Sequence, residues 1–368
     1  MSDRRVELEE YNSSHEHAAE GLIGFGDTTP LAGPCSIRNN GRERTSMTDE
    51  PESPEYRYRT TIDQCDVVDS AALASYRVKR YEWLSWYELR KGDPNTIQQQ
   101  LFSMMFLDLA YRTLAVARQG TDSDSMVSAK SGLLGHFLDQ GYVATQVLAI
   151  RRLLDGRKDV FSLRRLLDDI TKHRHLITRE VYVCNDGLPY DSEAWQSLPQ
   201  GVEGRLWGIE APGFGNYLSS RVRHETFDRL SGISPTARQR EDLIREGVFQ
   251  ELNNWLANSA AERLILLSHK FFAHAATQDS RGSLAYSGIA LADVDEVQRA
   301  LVRVERAITD LLLFIGVHRD VVPMPPLGLL KGLEHPYASV DSITKMDQHW
   351  DQLVTERNQW AKGIAEAL

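Results

Sequence analysis

Residues 261–276 read Ala-Glu-Arg-Leu-Ile-Leu-Leu-Ser-His-Lys-Phe-Phe-Ala-His-Ala-Ala, a run of good helix formers without Gly or Pro. Projected as a straight helix, Arg263, Leu267, Lys270, His274 and Gln278 share one stripe. Leu264, Ile265, Phe271, Phe272, Ala275 and Ala276 cover most of the remaining surface. A helix apolar on nearly every side belongs inside a bundle rather than on its surface. Its polar stripe must then find partners, water or a ligand, because unpaired buried polar groups are costly.

The surrounding chain agrees with a helical bundle. Helical spacing begins near residue 65 and includes an aromatic-rich stretch with Tyr76, Tyr81, Trp83, Trp86 and Tyr87. Gly92-Asp93-Pro94-Asn95 punctuates it, and a helix over residues 96–118 follows. The longest segment, residues 125–154, carries the small residues Gly135, Gly141, Ala144 and Thr145, which would let a neighbouring helix approach closely. Ser162 is placed to cap the next helix. Between about 180 and 233 the helical period fades and Gly, Pro, Trp195, Trp207 and Tyr217 dominate, which predicts a long irregular insertion. Helices resume from Ser234-Pro235, and Asp293 opens one that runs to Ile315. Pro323, Pro325, Pro326, Gly328 and Gly332 then read as a linker to a separate C-terminal helix.

Three domains are thus expected: an acidic, disordered tail over 1–60, a helical domain over 61–320, and the linker with its helix over 321–368. The net charge is -10, from 42 Lys and Arg against 52 Asp and Glu. Much of the excess lies in residues 1–56, which hold 12 acidic and 5 basic residues and too few large apolar ones to form a core. Met47 would make a natural start. Three widely spaced cysteines, Cys35, Cys65 and Cys184, argue against a disulfide framework. With no apolar run long enough to span a bilayer and no secretory signal, the expectation is a cytoplasmic protein with no membrane partner.

Two constellations carry possible chemistry. His274, Lys270 and Arg263 share the stripe described above, which suits phosphate binding by the cations and acid–base work by a histidine that titrates near neutrality. The same spacing also describes a hydrogen-bonded core histidine flanked by snorkelling cations. Residues 151–179 hold nine cations, including Arg151, Arg152, Arg164 and Arg165, against four aspartates. Such a stretch is the best place in this acidic chain for a polyanion such as RNA, although helix faces laced with local ion pairs have the same composition. The pairs His15/His17 and His173/His175 lack a third ligand at metal-site spacing, so no metal and no cofactor are implied.

Several short segments are similar to the HEPN superfamily and, within it, to the abortive-infection AbiU-like branch. They are Gln146-Val147-Leu148-Ala149-Ile150-Arg151-Arg152-Leu153-Leu154-Asp155, Val160-Phe161-Ser162-Leu163-Arg164-Arg165-Leu166-Leu167, His269-Lys270-Phe271-Phe272-Ala273-His274 and Leu291-Ala292-Asp293-Val294-Asp295-Glu296-Val297. The resemblance implies an all-α, HEPN-like helical bundle, commonly a homodimer, in a prokaryotic defence or toxin–antitoxin system with an antitoxin partner. Many members are metal-independent endoribonucleases with an arginine four to six residues before a histidine. His274 matches that histidine, whereas the segment aligns Ser268 in the arginine's place. Two expectations therefore stand together. One is an RNA-binding endoribonuclease with His274 and Lys270 as catalytic residues and Arg263, Arg151, Arg152, Arg164 and Arg165 on the RNA. The other is a catalytically inactive dimerisation or protein-interaction module.

Overall fold

The computed structural model describes residues 58, 60–89, 93–119, 133–191, 214–273, 277–281, 290–315, 320–322 and 340–368. The expected acidic tail up to residue 57, most of the Pro/Gly linker and His274 lie outside them. The described chain is all-α, its only sheet-like feature being an isolated antiparallel bridge between Thr178 and Leu243. The longer helices are α1 (Ser70–Leu84), α2 (Ile97–Gln119), α3 (Leu133–Leu153), α4 (Leu163–Lys172), α5 (Arg179–Cys184), α6 (Phe214–Ser231), α7 (Glu246–Leu256) and α8 (Ser259–Leu267). The short α9 (Gln278–Arg281), then α10 (Leu291–Arg306), α11 (Val340–Gln359) and α12 (Ile364–Ala367) complete the order.

Local sequence accounts for several helix starts. Ser162 accepts from the Arg165 amide at 3.1 Å and Asn258 from the Ala261 amide at 2.8 Å, as side-chain caps should. Asp69 caps α1 through the amides of Ala71 and Ala72. Three helices do not end in the ordinary way. Ser85–Leu89, Ser268–Ala273 and Ala307–Leu312 are π-helical turns that continue α1, α8 and α10. Each widens the helix by one residue per turn, and such turns recur at functional sites.

The middle of the bundle is α10, which packs on α3, α4, α7 and α8 and buries Val294, Val297, Leu301, Val302 and Val304. The expectation that the helix beginning at residue 261 lies inside the bundle rather than on its surface needs correction. Ala260, Ala261, Leu264 and Leu267 are buried, but Glu262, Arg263 and Leu266 are exposed. This helix is amphipathic, and its Leu266 faces out at 44 % exposure. Nor does a straight-helix projection carry past Ser268, where the π turn inserts a residue and shifts every later side chain.

Two further expectations change. The stretch 180–233 is not irregular throughout, since α5 and α6 occupy much of it; residues 192–213 lie outside the description. The helical period of α6 is hidden because its buried face is largely polar: Ser220, Arg223, His224, Phe227 and Leu230. Arg223 donates to the carbonyls of Tyr182 and Val183 and forks onto Asp186. Arg179 is wholly buried, with Nη1 on Asp228 at 2.6 Å and Nε on Asp242 at 2.7 Å, while Arg238 holds the other side of Asp228. Burial alone would raise the Asp228 pKa, but hydrogen bonds from these two guanidiniums bring it below the ordinary carboxylate value.

The C-terminal helix, expected to be separate, packs along α2. Met346, Trp350, Leu353 and Arg357 form its buried face, and Trp350 meets Phe106 edge-on at 6.0 Å. The physical reason lies in charge as well as apolar area. Asp108 on α2 is fully buried and accepts from Arg112 Nε at 2.9 Å, Tyr142 Oη at 2.6 Å and Arg357 Nη2 at 3.1 Å. Asp295 on α10 closes the group through Arg112 Nη2 at 2.6 Å and Arg357 Nη2 at 3.2 Å. One cluster thus joins α2, α3, α10 and α11.

Candidate nucleic-acid interface

The cations singled out in the sequence divide by what they touch. Arg164 pairs with Asp168 one turn away at 3.1 Å, the ordinary arrangement of a solvated helix face. Arg263 is tied to Asp293, which also caps α10 by accepting from the Ala290 amide. Arg157 lies between Asp155 and Asp159, and Arg179 belongs to the buried cluster already described. Arg157 and Arg164 fit the local ion-pair reading of the 151–179 stretch, whereas Arg179 and Arg263 are tied to carboxylates distant in sequence.

Arg174 reaches Glu246 at 3.3 Å, whereas Arg151, Lys270, Arg152 and Arg165 meet only neutral partners among the described residues. Arg151, near the end of α3, places Nη1 3.4 Å from Ser268 Oγ, the first residue of the π turn after α8. Lys270 in the same turn donates to Ser280 Oγ at 2.8 Å. Arg152 is exposed and donates to Asn95 Oδ1 at 2.7 Å. Arg165 donates to the Val160 carbonyl at 2.8 Å and stacks over Trp86, 3.9 Å from the ring centroid. A neutral acceptor orients a guanidinium or ammonium without cancelling its charge, so these groups keep an attraction for anions.

Two surroundings follow from this layout. α3 packs against α8 and against its π turn, which brings Arg151 to the Lys270 turn although neither lies near the other in sequence. Arg152 instead borders a cleft of about 380 Å³ shared with Asn95, Gln100 and Phe161, where Arg157 is paired with Asp155 and Asp159. Gln100 is fixed in that wall by donating to the Asn95 and Phe161 carbonyls at 2.6 and 2.8 Å, so its Oε1 is left as an acceptor.

His173 places Nδ1 2.8 Å from the Asp169 carbonyl, which accounts for half of the His173/His175 pair without a metal. No group of three or more His, Cys, Asp or Glu residues with metal-binding geometry occurs among the described residues. Among them also, no helix is long and apolar enough to cross a membrane.

Besides the buried clusters around Asp108 and Arg179, sequence reasoning missed a third polar feature. Tyr87, in the π turn after α1, donates its hydroxyl to Glu305, buried at the end of α10. Burial pushes the Glu305 carboxyl above the ordinary glutamate value, with Arg306 and the Tyr87 hydrogen bond opposing the shift. Tyr87 was legible only as one more aromatic of an amphipathic stretch, and nothing within 218 positions pairs it with Glu305. No protein-family model, no curated protein and no solved structure matches this chain.

Proposed function

We propose that this protein binds RNA as a HEPN-like component of a prokaryotic defence or toxin–antitoxin system, through the Ser268–Ala273 turn and the end of α3. The observation that carries the reading is the approach of Arg151 to Ser268. In the family resemblance Ser268 takes the arginine's place, and a guanidinium from another helix stands against it. Lys270 adds positive charge in the same turn, and Arg152 and Arg165 keep theirs elsewhere on the described surface. His274 is the acid–base group of this reading, acting on RNA cleaved by its own 2′-hydroxyl without a metal. The non-catalytic module has its own support, because Arg263, the arginine that precedes that histidine on the same segment, is committed to Asp293.

The test is fluorescence anisotropy of labelled single-stranded RNA with the purified full chain over a salt series, run beside a cleavage assay in EDTA. Affinity should fall linearly with salt on logarithmic axes, and Arg151→Ala should weaken binding and flatten the slope by about one counterion. Cleavage should persist in EDTA and disappear in His274→Ala, by roughly 100-fold or more. Absence of binding at low salt across a broad RNA set overturns the reading. Binding without cleavage by the wild type selects the non-catalytic form.

A further inference from the structure

Along α10, Asp295, Arg299 and Arg303 recur at four-residue spacing and share one stripe. The stripe begins in the cluster around Asp108, where Arg112 and Arg357 meet Asp108 and Asp295. Further along, that balance of charge ends. Neither Arg299 nor Arg303 forms a hydrogen bond or an ion pair with any described residue; each meets only an aromatic ring. Arg303 lies over Trp255 of α7, its guanidinium carbon 3.9 Å from the ring centroid, and Arg299 lies over Trp360, just past α11, at 5.3 Å.

A ring face attracts a guanidinium through its quadrupole but leaves the N–H edge without an acceptor. For Arg303 this matters because the residue is half-buried. Burial holds its pKa below the ordinary arginine value, with Glu251 opposing the shift and Arg299 adding to it. Two like charges are therefore felt across the stripe, with no carboxylate paired to either. Glu251 on α7 does not fill that role, since it accepts from Trp255 Nε1 at 2.8 Å and so steadies the indole on which Arg303 rests. Arg299 is exposed, so one side of the pair stands open to solvent. Planar guanidiniums held by rings and lacking a counter-ion are pre-organised for the oxygens of a phosphate, which can take a fork of N–H donors. A dianion matches two cations better than a monoanion does.

We infer that Arg299 and Arg303 form a binding site for a phosphate dianion, either free or as a phosphomonoester. The inference does not rest on RNA binding. It is tested by calorimetric titration of the full chain with inorganic phosphate, methyl phosphate and dimethyl phosphate at matched ionic strength. Inorganic phosphate should bind about tenfold more tightly at about pH 8 than at about pH 5, because its second ionisation lies between them and arginine does not titrate there. Methyl phosphate binding with similar affinity marks a monoester site, and its exclusion marks a site for free phosphate. Arg299→Gln, at an exposed position, should weaken phosphate binding about tenfold without a cost in folding, and Arg303→Gln should weaken it at least as much. No phosphate binding, or full affinity in Arg299→Gln, overturns the proposal. Equal affinity for dimethyl phosphate, a monoanionic diester like the RNA backbone, overturns it as well, by giving the stripe to a nucleic-acid surface.

Discussion

Replacing Arg357 by Met tests whether the charge cluster holds the last long helix to the bundle. The Arg357 side chain is 1 % exposed and meets three carboxylates, Asp108 at 3.1 Å, Asp295 at 3.2 Å and the exposed Glu356 at 3.0 Å. Its guanidinium also lies 4.3 Å from the Trp360 ring centroid. Removing one partner from a buried ion pair costs about 3–5 kcal/mol, because the other charge stays behind without compensation. Here the loss belongs near the low end, about 3 kcal/mol, because Arg112 and Tyr142 still serve Asp108 and Met retains most of the apolar stem. Asp108→Asn should cost more, about 4–5 kcal/mol, since Arg112 and Arg357 would then share only the partly exposed Asp295. The two changes touch one network, so the double variant should be less destabilised than their sum by about 1 kcal/mol or more. Urea unfolding followed by far-UV circular dichroism measures all three. An Arg357→Met protein within about 1 kcal/mol of wild type, combined with additivity, would falsify the view that this cluster anchors the helix.

Further outcomes follow from single residues. Glu305 has a raised folded pKa, so the folded state retains its proton where the unfolded chain has lost it; stability should fall as pH rises from about 4.5 through the folded value and then level off. Glu305→Gln should lack this component, and a stability difference from wild type that does not vary with pH would contradict the assignment. His224 is the opposite case, a histidine whose pKa burial lowers while its Nε2 donates to the Tyr190 carbonyl, so its contribution is lost as pH drops below about 6.5. His224→Gln should reduce the acid sensitivity measured by Tm between pH 5 and 7, a range chosen to span about 6.5. Gly187 has φ +90° and a Cβ there would collide with the Thr60 side chain; Gly187→Ala should cost about 1–3 kcal/mol in urea unfolding, and a neutral result would mean the turn relaxes freely. On RNA, Arg165→Glu should weaken anisotropy-measured affinity more than Arg164→Glu, because only Arg164 is already paired with a carboxylate; equal effects would remove that distinction.

The helical class and several boundaries were readable because they rest on local signals. Ser162 and Asp93 sit beside the helices they announce, and the apolar residues of α2 repeat at helical spacing. α6 was not readable, since a buried arginine and histidine occupy positions where periodicity expects leucine. The π turns left no pattern in composition, yet one of them invalidates the single-face projection of Arg263 and Lys270. In the candidate interface, residue types pointed to cations, but their state depends on partners distant in the chain. Arg151 and Ser268 are 117 positions apart, and the difference between Arg164 on an aspartate and Arg165 on a tryptophan ring exists only in three dimensions.

The cluster around Asp108 also bears on the order in which the chain can reach its native state. Asp108 and Arg357 are 249 positions apart. During synthesis α2 and α3 emerge well before α11, so Asp108 can meet Arg112 and Tyr142 early, but its second oxygen gains Arg357 only when α11 arrives. Contacts of such long range raise contact order and delay the rate-limiting closure, because the loop entropy is lost before the ion pair forms. The early helices should therefore remain an open, loosely docked intermediate on the ribosome, with consolidation of the bundle reserved for the final stretch of translation.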